Sequence, residues 1–214
     1  MKTEKETIRC EAIFSDDHTH RYSWKQVWNK DKPLACVIML NPCIADCLIY
    51  DTTSYLVQNN IASLETYGGV EILNIYSKIT SKLNLRWDSD EDLNGSDNDT
   101  YIKKAAAECD IVILAWGTGA ITNTRVLGRV KKVIEMLKPF HKKLHVITDG
   151  EEKRAVHPLT PAVRSEWILE PFKASDIEPG VKIKTRTSKS ESDVETKAEN
   201  KMDDESQASD EEES

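Results

Sequence analysis

Four apolar runs of strand length recur along the chain, at 34–40 (LACVIML), 70–75 (VEILNI), 110–116 (DIVILAW) and 143–148 (KLHVIT). Nothing else in the sequence constrains the fold as much. A run without polar alternation is buried on both faces, the environment of a strand inside a parallel sheet. Helical stretches separate the runs. One covers about 52–66, a second 98–108, and a third places Val126, Leu127, Val130, Val133, Ile134 and Leu137 on one face before Pro139 ends it. Strands alternating with helices imply right-handed crossovers and an α/β fold of three layers, α/β/α, around a central, mainly parallel four-stranded sheet. Upstream, 8–14 and 21–28 read as an N-terminal antiparallel hairpin, with Tyr22, Trp24, Gln26 and Trp28 on one side of the second strand. The first helix is expected to stop at Gly68-Gly69, and the polar stretch 77–97 reads as a long functional loop.

Charge divides the chain in two. Residues 191–214 carry 11 of its 37 acidic and 2 of its 29 basic side chains, so 1–190 holds 26 acidic and 27 basic, a net of +1. The expected organisation is a single α/β domain over 1–175 and a disordered acidic tail over 176–214, because the tail has almost nothing to bury. Such a tail keeps a protein soluble, shields a nucleic-acid site from non-specific binding, or contacts a protein partner. The near-neutral body argues against a broadly basic, nucleic-acid-gripping surface. No apolar run approaches a membrane span, and the opening segment lacks a signal peptide's apolar stretch, so a cytoplasmic protein is expected. Five cysteines without an export signal read as reduced thiols. The Cys43-x3-Cys47 and His18-x-His20 spacings lack second pairs, and neither a metal nor a cofactor is expected.

In open α/β sheets, ligands bind at the carboxyl ends of the strands. The residues there are Asn41, Pro42, Asp46 and Asp51 after the first run, and Asn74 and Tyr76 at the second. Trp116 and Gly117 follow the third, and Arg154, His157 and Leu159 follow the fourth. Each also has a plain reading. Asn41 can cap a turn, Asp51 can cap the helix that starts near 52, Trp116 can be core, and His157 can be a packed loop histidine. Asn74 is the hardest to dismiss. An amide inside an apolar strand needs partners, and it can both donate to and accept from a nucleobase edge. Gly117-x-Gly119 is a weak phosphate signal. Lys78, Lys82 and Arg86 read as solvated surface or as phosphate contacts.

The segments MLNPCIAD (39–46), Asp51-Thr52-Thr53, YGGVEILNIYSKIT (67–80), Asn98-Asp99, ILAWGTGA (113–120) and TDG…HPL…W (148–167) occur in that order. The set resembles an uncharacterised domain family of bacteria and phages with LNPSTAD, GYGG…VNL, AWG and DG…RHPL segments. Here Cys43-Ile44 replaces Ser-Thr, Tyr76 replaces Phe, and Val156 stands where an Arg often precedes the His. More distantly, the strand-end order resembles the uracil-DNA glycosylase superfamily. That resemblance implies an uracil-DNA-glycosylase-like fold and an N-glycosidase acting on a base or modified base, with DNA or a nucleotide as substrate. Its slots fall on Asn41, Pro42 and Asp46 for water activation, Asn74 for base reading, His157 for the leaving base and Leu159 as a wedge. Tyr76, Trp116, Gly117 and Asp51 would line the site. The alternative is a non-catalytic module on the same fold, binding nucleotide, nucleic acid or protein. A third reading is a phosphate-handling enzyme built on Gly117-Thr118-Gly119.

Overall fold

The computed structural model describes residues 1–44, 46–151 and 154–178. The acidic tail, apart from Asp176, Ile177 and Glu178, lies outside the described residues. The six expected strands form as β1 (Arg9–Phe14), β2 (Arg21–Val27), β3 (Leu34–Met39), β4 (Gly69–Asn74), β5 (Ile111–Leu114) and β6 (Leu144–Thr148), and Ile168–Pro171 adds β7. The main helices are α1 (Thr52–Ser63), α3 (Asn98–Glu108) and α4 (Thr124–Leu137), with a short α2 (Asp90–Asn94) between β4 and α3.

All seven strands join one mixed sheet in the order β1-β2-β4-β3-β5-β6-β7. The inner pairs β4·β3, β3·β5 and β5·β6 are parallel, and the outer pairs are antiparallel. The sheet is therefore wider than the four strands expected. The hairpin is no appendage, since β2 pairs with β4 from Trp24↔Ile72 to Val27↔Gly69. Strand alternation divides the core in two. Ala35, Val37, Val70, Ile72 and Ile113 pack with Val57 and Ile61 of α1 on one face. Cys36, Ile38, Leu73, Val112 and Leu114 pack with Ile102 of α3 and with Val126, Val130 and Val133 of α4 on the other. Each fully buried Val, Leu or Ile contributes roughly 1.5–3 kcal/mol.

Local chemistry fixes the connections. Asp51 caps α1 by accepting from Ser54 N–H at 2.7 Å, and Asn123 caps α4 by accepting from the N–H groups of Arg125 and Val126. Helix α1 stops at Ser63, ahead of the two glycines expected to end it, and Glu65 takes the left-handed turn instead (φ 55°). Gly68 has another purpose. A Cβ there would fall 1.8 Å from the Asn29 carbonyl oxygen, because Trp28 N–H and Asn29 N–H both donate to Gly68 O where the two strands converge. The polar stretch 77–97 is not an open loop. Ser89 and Asp92 form a capping box for α2, Leu93 is buried, and Lys78 pairs with Asp88 at 2.8 Å.

Strand β2 does not alternate evenly. Ile13 pairs with Ser23 and Phe14 with Arg21, which leaves Tyr22 as the extra residue of a bulge. Tyr22 consequently stacks on Tyr101 of α3, while Trp24 remains in the α1-side core, so the expected single face is broken. Among the described residues no helix is long and apolar enough to cross a membrane.

Candidate functional site

Register places the polar strand ends together. Parallel pairing aligns Met39 of β3 with Asn74 of β4, and the pairing continues through Ile75 N–H to Met39 O and Tyr76 N–H to Leu40 O. The end of β4 is clamped from the other face. Asn98 Nδ2 donates to the carbonyls of Asn74 and Ile75, and Arg129 Nε donates to Ile75 O at 2.7 Å. This clamp fixes Asn74 in place. Its side chain is fully buried, its Oδ1 lies 3.4 Å from Arg21 Nη2, and its Nδ2 has no acceptor among the described residues. An unmatched buried amide donor costs about 1–3 kcal/mol, an amount a ligand acceptor would recover.

Arg21 is the residue that sequence reasoning missed. The regular alternation assigned to β2 puts it opposite Trp24, on a polar face. The bulge at Tyr22 turns it back toward Asn74, a re-aiming that bulges near functional sites commonly produce. Arg21 is 2 % exposed, and burial lowers its pKa to about 10, with the nearby Asp51 carboxylate opposing the shift. The guanidinium is still charged at neutral pH.

His157 arrives from the loop after β6. Burial pushes its imidazole below the usual histidine value, and Asp51 only partly offsets this. Leu159 N–H lies 3.1 Å from Nδ1, and a backbone N–H can only donate, so Nδ1 accepts and the ring proton sits on Nε2. The result is a neutral imidazole with one N–H to offer. Gly117 backs this residue. Its φ is +84°, and a Cβ on it would stand 2.9 Å from His157 Cβ. Asp51, Arg21, Asn74 and His157 thus share one region, with Gly117 behind the histidine.

The remaining candidates have more local duties. Asn41 Nδ2 donates to Thr80 O at 2.7 Å and to Pro42 O at 3.2 Å, and buried Pro42 accepts from Thr80 N–H, so this pair holds the β3 turn against the segment after β4. Asp46 Oδ1 accepts from Ile49 N–H at 2.8 Å and Leu48 N–H at 2.7 Å, which draws its carboxyl below the ordinary aspartate value. Its carbonyl accepts from Trp24 Nε1 at 2.8 Å, tying the 43–50 loop to β2. Leu159 is 37 % exposed at the tip of the His157 loop, and Leu48 and Ile49 are exposed on the loop of Asp46. Tyr76 and Trp116 belong to the α3/α4-side core, away from α1 and its cap Asp51. Arg154 pairs with Glu170 and Asp176, anchoring the end of the fold. No three His, Cys, Asp or Glu side chains among the described residues are grouped to hold a metal.

A mixed α/β sheet with polar groups at the ends of its parallel strands places the chain in the α/β class, whose ligands generally bind at the carboxyl ends of the strands. The chain belongs to the family described as Protein of unknown function (DUF1643), which matches residues 21–159. No curated protein and no solved structure matches the chain.

Proposed function

We propose that this protein is a nucleobase-directed N-glycosidase acting on a base or modified base in DNA, with an uracil-DNA-glycosylase-like arrangement of its inner strands. The observation that carries this reading is the presence of two neutral donors at the carboxyl ends of the parallel strands: the unmatched Nδ2 of Asn74 at the end of β4 and the Nε2–H of His157 in the loop after β6. The inner strand order β4-β3-β5-β6 supports it, as does the resemblance of the strand-end motifs.

In such a reaction the glycosidic C–N bond breaks and its electron pair moves onto the base. Water then bonds to the anomeric carbon, and the proton it gives up ends on the departing base, so the products are a free neutral base and a hydroxyl at the abasic sugar. Asn74 would read the base edge by donating to a carbonyl oxygen or ring nitrogen. His157, already neutral, would donate Nε2–H to the oxygen on which negative charge develops, without losing a proton to solvent. The low-pKa carboxylate of Asp46 suits stabilising the cationic sugar and orienting water through its second oxygen, and Asp51 adds negative charge near His157. The target base would have to leave the stack, and Leu159, exposed on the His157 loop, would fill the gap.

A non-catalytic binding module is the second reading. The specific observation behind it is that Asp46 already spends one oxygen on its own turn. A product assay separates the two. Wild type, Asp46→Asn and His157→Ala are incubated with DNA rich in modified bases, and free base and abasic sites are quantified by mass spectrometry. Glycosidase activity predicts equal amounts of both products, abolished by Asp46→Asn and slowed about 10^2-fold or more by His157→Ala. Absence of free base with every DNA, from folded protein that retains DNA affinity, leaves the binding module.

A further inference from the structure

We infer that a polar cavity on the α4 side of the sheet, separate from the candidate site, is a binding site for a small phosphorylated molecule. The cavity encloses about 200 Å³ and is lined by Tyr76, Asp90, Asn94 and one flank of α4. Arg125, Arg129 and Lys132 come from that flank, at helical spacings of four and three, so their side chains share one surface.

Three polar atoms around the cavity lack partners. Arg129 is 7 % exposed; it spends Nε on Ile75 O and Nη2 on Asp99 at 2.5 Å, which leaves Nη1 without an acceptor among the described residues. The Tyr76 hydroxyl is likewise unmatched on a residue that is 1 % exposed, and Asn94 Oδ1 has no donor. Two missing acceptors and one missing donor describe the complement of a hydrogenphosphate or phosphate monoester, which offers anionic oxygens and a hydroxyl. Charge agrees. Asp90 faces Arg125 at 2.6 Å, and Asp99 is shared between Arg129 and Lys132, so three cations meet two carboxylates and one positive charge is left over.

Gly128 is the independent sign. It lies inside α4, where glycine is a poor helix former, and nothing lies within 4 Å of where its Cβ would stand. Gly128 lines the cavity, so a side chain there would stand over it, whereas glycine leaves it open. The volume exceeds that of phosphate alone, which leaves room for a small organic group such as a sugar.

Isothermal titration of the full chain with inorganic phosphate and ribose 5-phosphate, with ribose and sodium chloride as controls at matched ionic strength, tests the assignment. Saturable one-to-one binding of both phosphates and none of ribose is expected. Tyr76→Phe should keep or raise the thermal midpoint, because its hydroxyl has no partner to lose, and should weaken binding about tenfold. Gly128→Met should also fold and should abolish binding by filling the cavity. Absence of saturable phosphate binding by wild type overturns the inference. So does binding that both variants leave unchanged, because the phosphate would then sit elsewhere.

Discussion

Replacing Gly117 by alanine should damage the fold and the candidate site together. Two costs combine. At φ +84° an L residue is strained by about 1–2 kcal/mol. The new methyl would also lie 2.9 Å from His157 Cβ, inside the roughly 3.5–4.0 Å of a relaxed carbon contact, and relieving such overpacking costs about 1–3 kcal/mol. The expected loss is about 2–5 kcal/mol. Gly119 is the internal control. Its φ is −62° and nothing lies within 4 Å of its Cβ position, so Gly119→Ala should be neutral or stabilise by about 0.4–1 kcal/mol through the unfolded chain. Urea unfolding reads the contrast. With a slope of about 2 kcal/mol/M, Gly117→Ala should move the midpoint down by about 1–2.5 M while Gly119→Ala leaves it in place or raises it slightly. A two-dimensional NMR spectrum of the histidine rings adds a local readout, since His157 must shift in the first variant and not in the second. Equal midpoints for the two variants would refute the close approach of Gly117 to His157.

Three further outcomes follow from the same contacts. Asp51→Asn keeps the α1 cap and should change stability by less than about 0.5 kcal/mol, whereas Asp51→Ala should cost about 1 kcal/mol in urea unfolding. In an NMR titration, Asp51→Asn should also lower the His157 pKa, because the lost charge was the one opposing burial. Burial holds His157 and His20 below the unfolded histidine pKa of about 6.5, so their contribution to stability is whole above that pH and is lost as pH falls through their folded values; His157→Gln should flatten that slope in urea midpoints measured from pH 8 to 5. Burial raises the Asp99 carboxyl, but its ion pairs with Arg129 and Lys132 win and hold it low, so its stabilisation is whole above pH about 4 and is lost below; Asp99→Asn should remove that part of the acid limb.

The legible parts of the fold were those with strong periodicity. β3 to β6 are buried on both faces, and α4 carries a continuous apolar stripe, so each announces its type from residues alone. β7 did not, because Ile168–Pro171 is four residues long and ends in proline, which reads as loop. The end of α1 was misread because Gly68 answers to a close carbonyl rather than to a helix terminus. In the candidate site, Asn74, Asp51 and His157 were legible as polar residues, and Gly117 as a glycine, at strand ends and loop starts. Arg21 was not, since one extra residue in β2 reverses the face of everything beyond it. Tyr76 and Trp116, read as lining the site, pack in the α3/α4-side core; both lie past the last residue of their strands, where alternation no longer predicts direction.

The family match opens at Arg21 and closes at Leu159, so it spans every residue of the candidate site and neither outermost strand. In this chain β1 and β7 fall outside it, and each satisfies the free backbone groups of the strand it flanks. An uncovered strand is a template for aggregation, and these two covers are ill-suited to recruiting another chain. β1 presents Arg9 and Glu11 to solvent, and β7 is short and ends at exposed Pro171. The flanking strands therefore leave the sheet with edges poorly suited to pairing. Trimming the chain to the matched stretch would leave the site's residues in place while baring the edges of β2 and β6 to self-association.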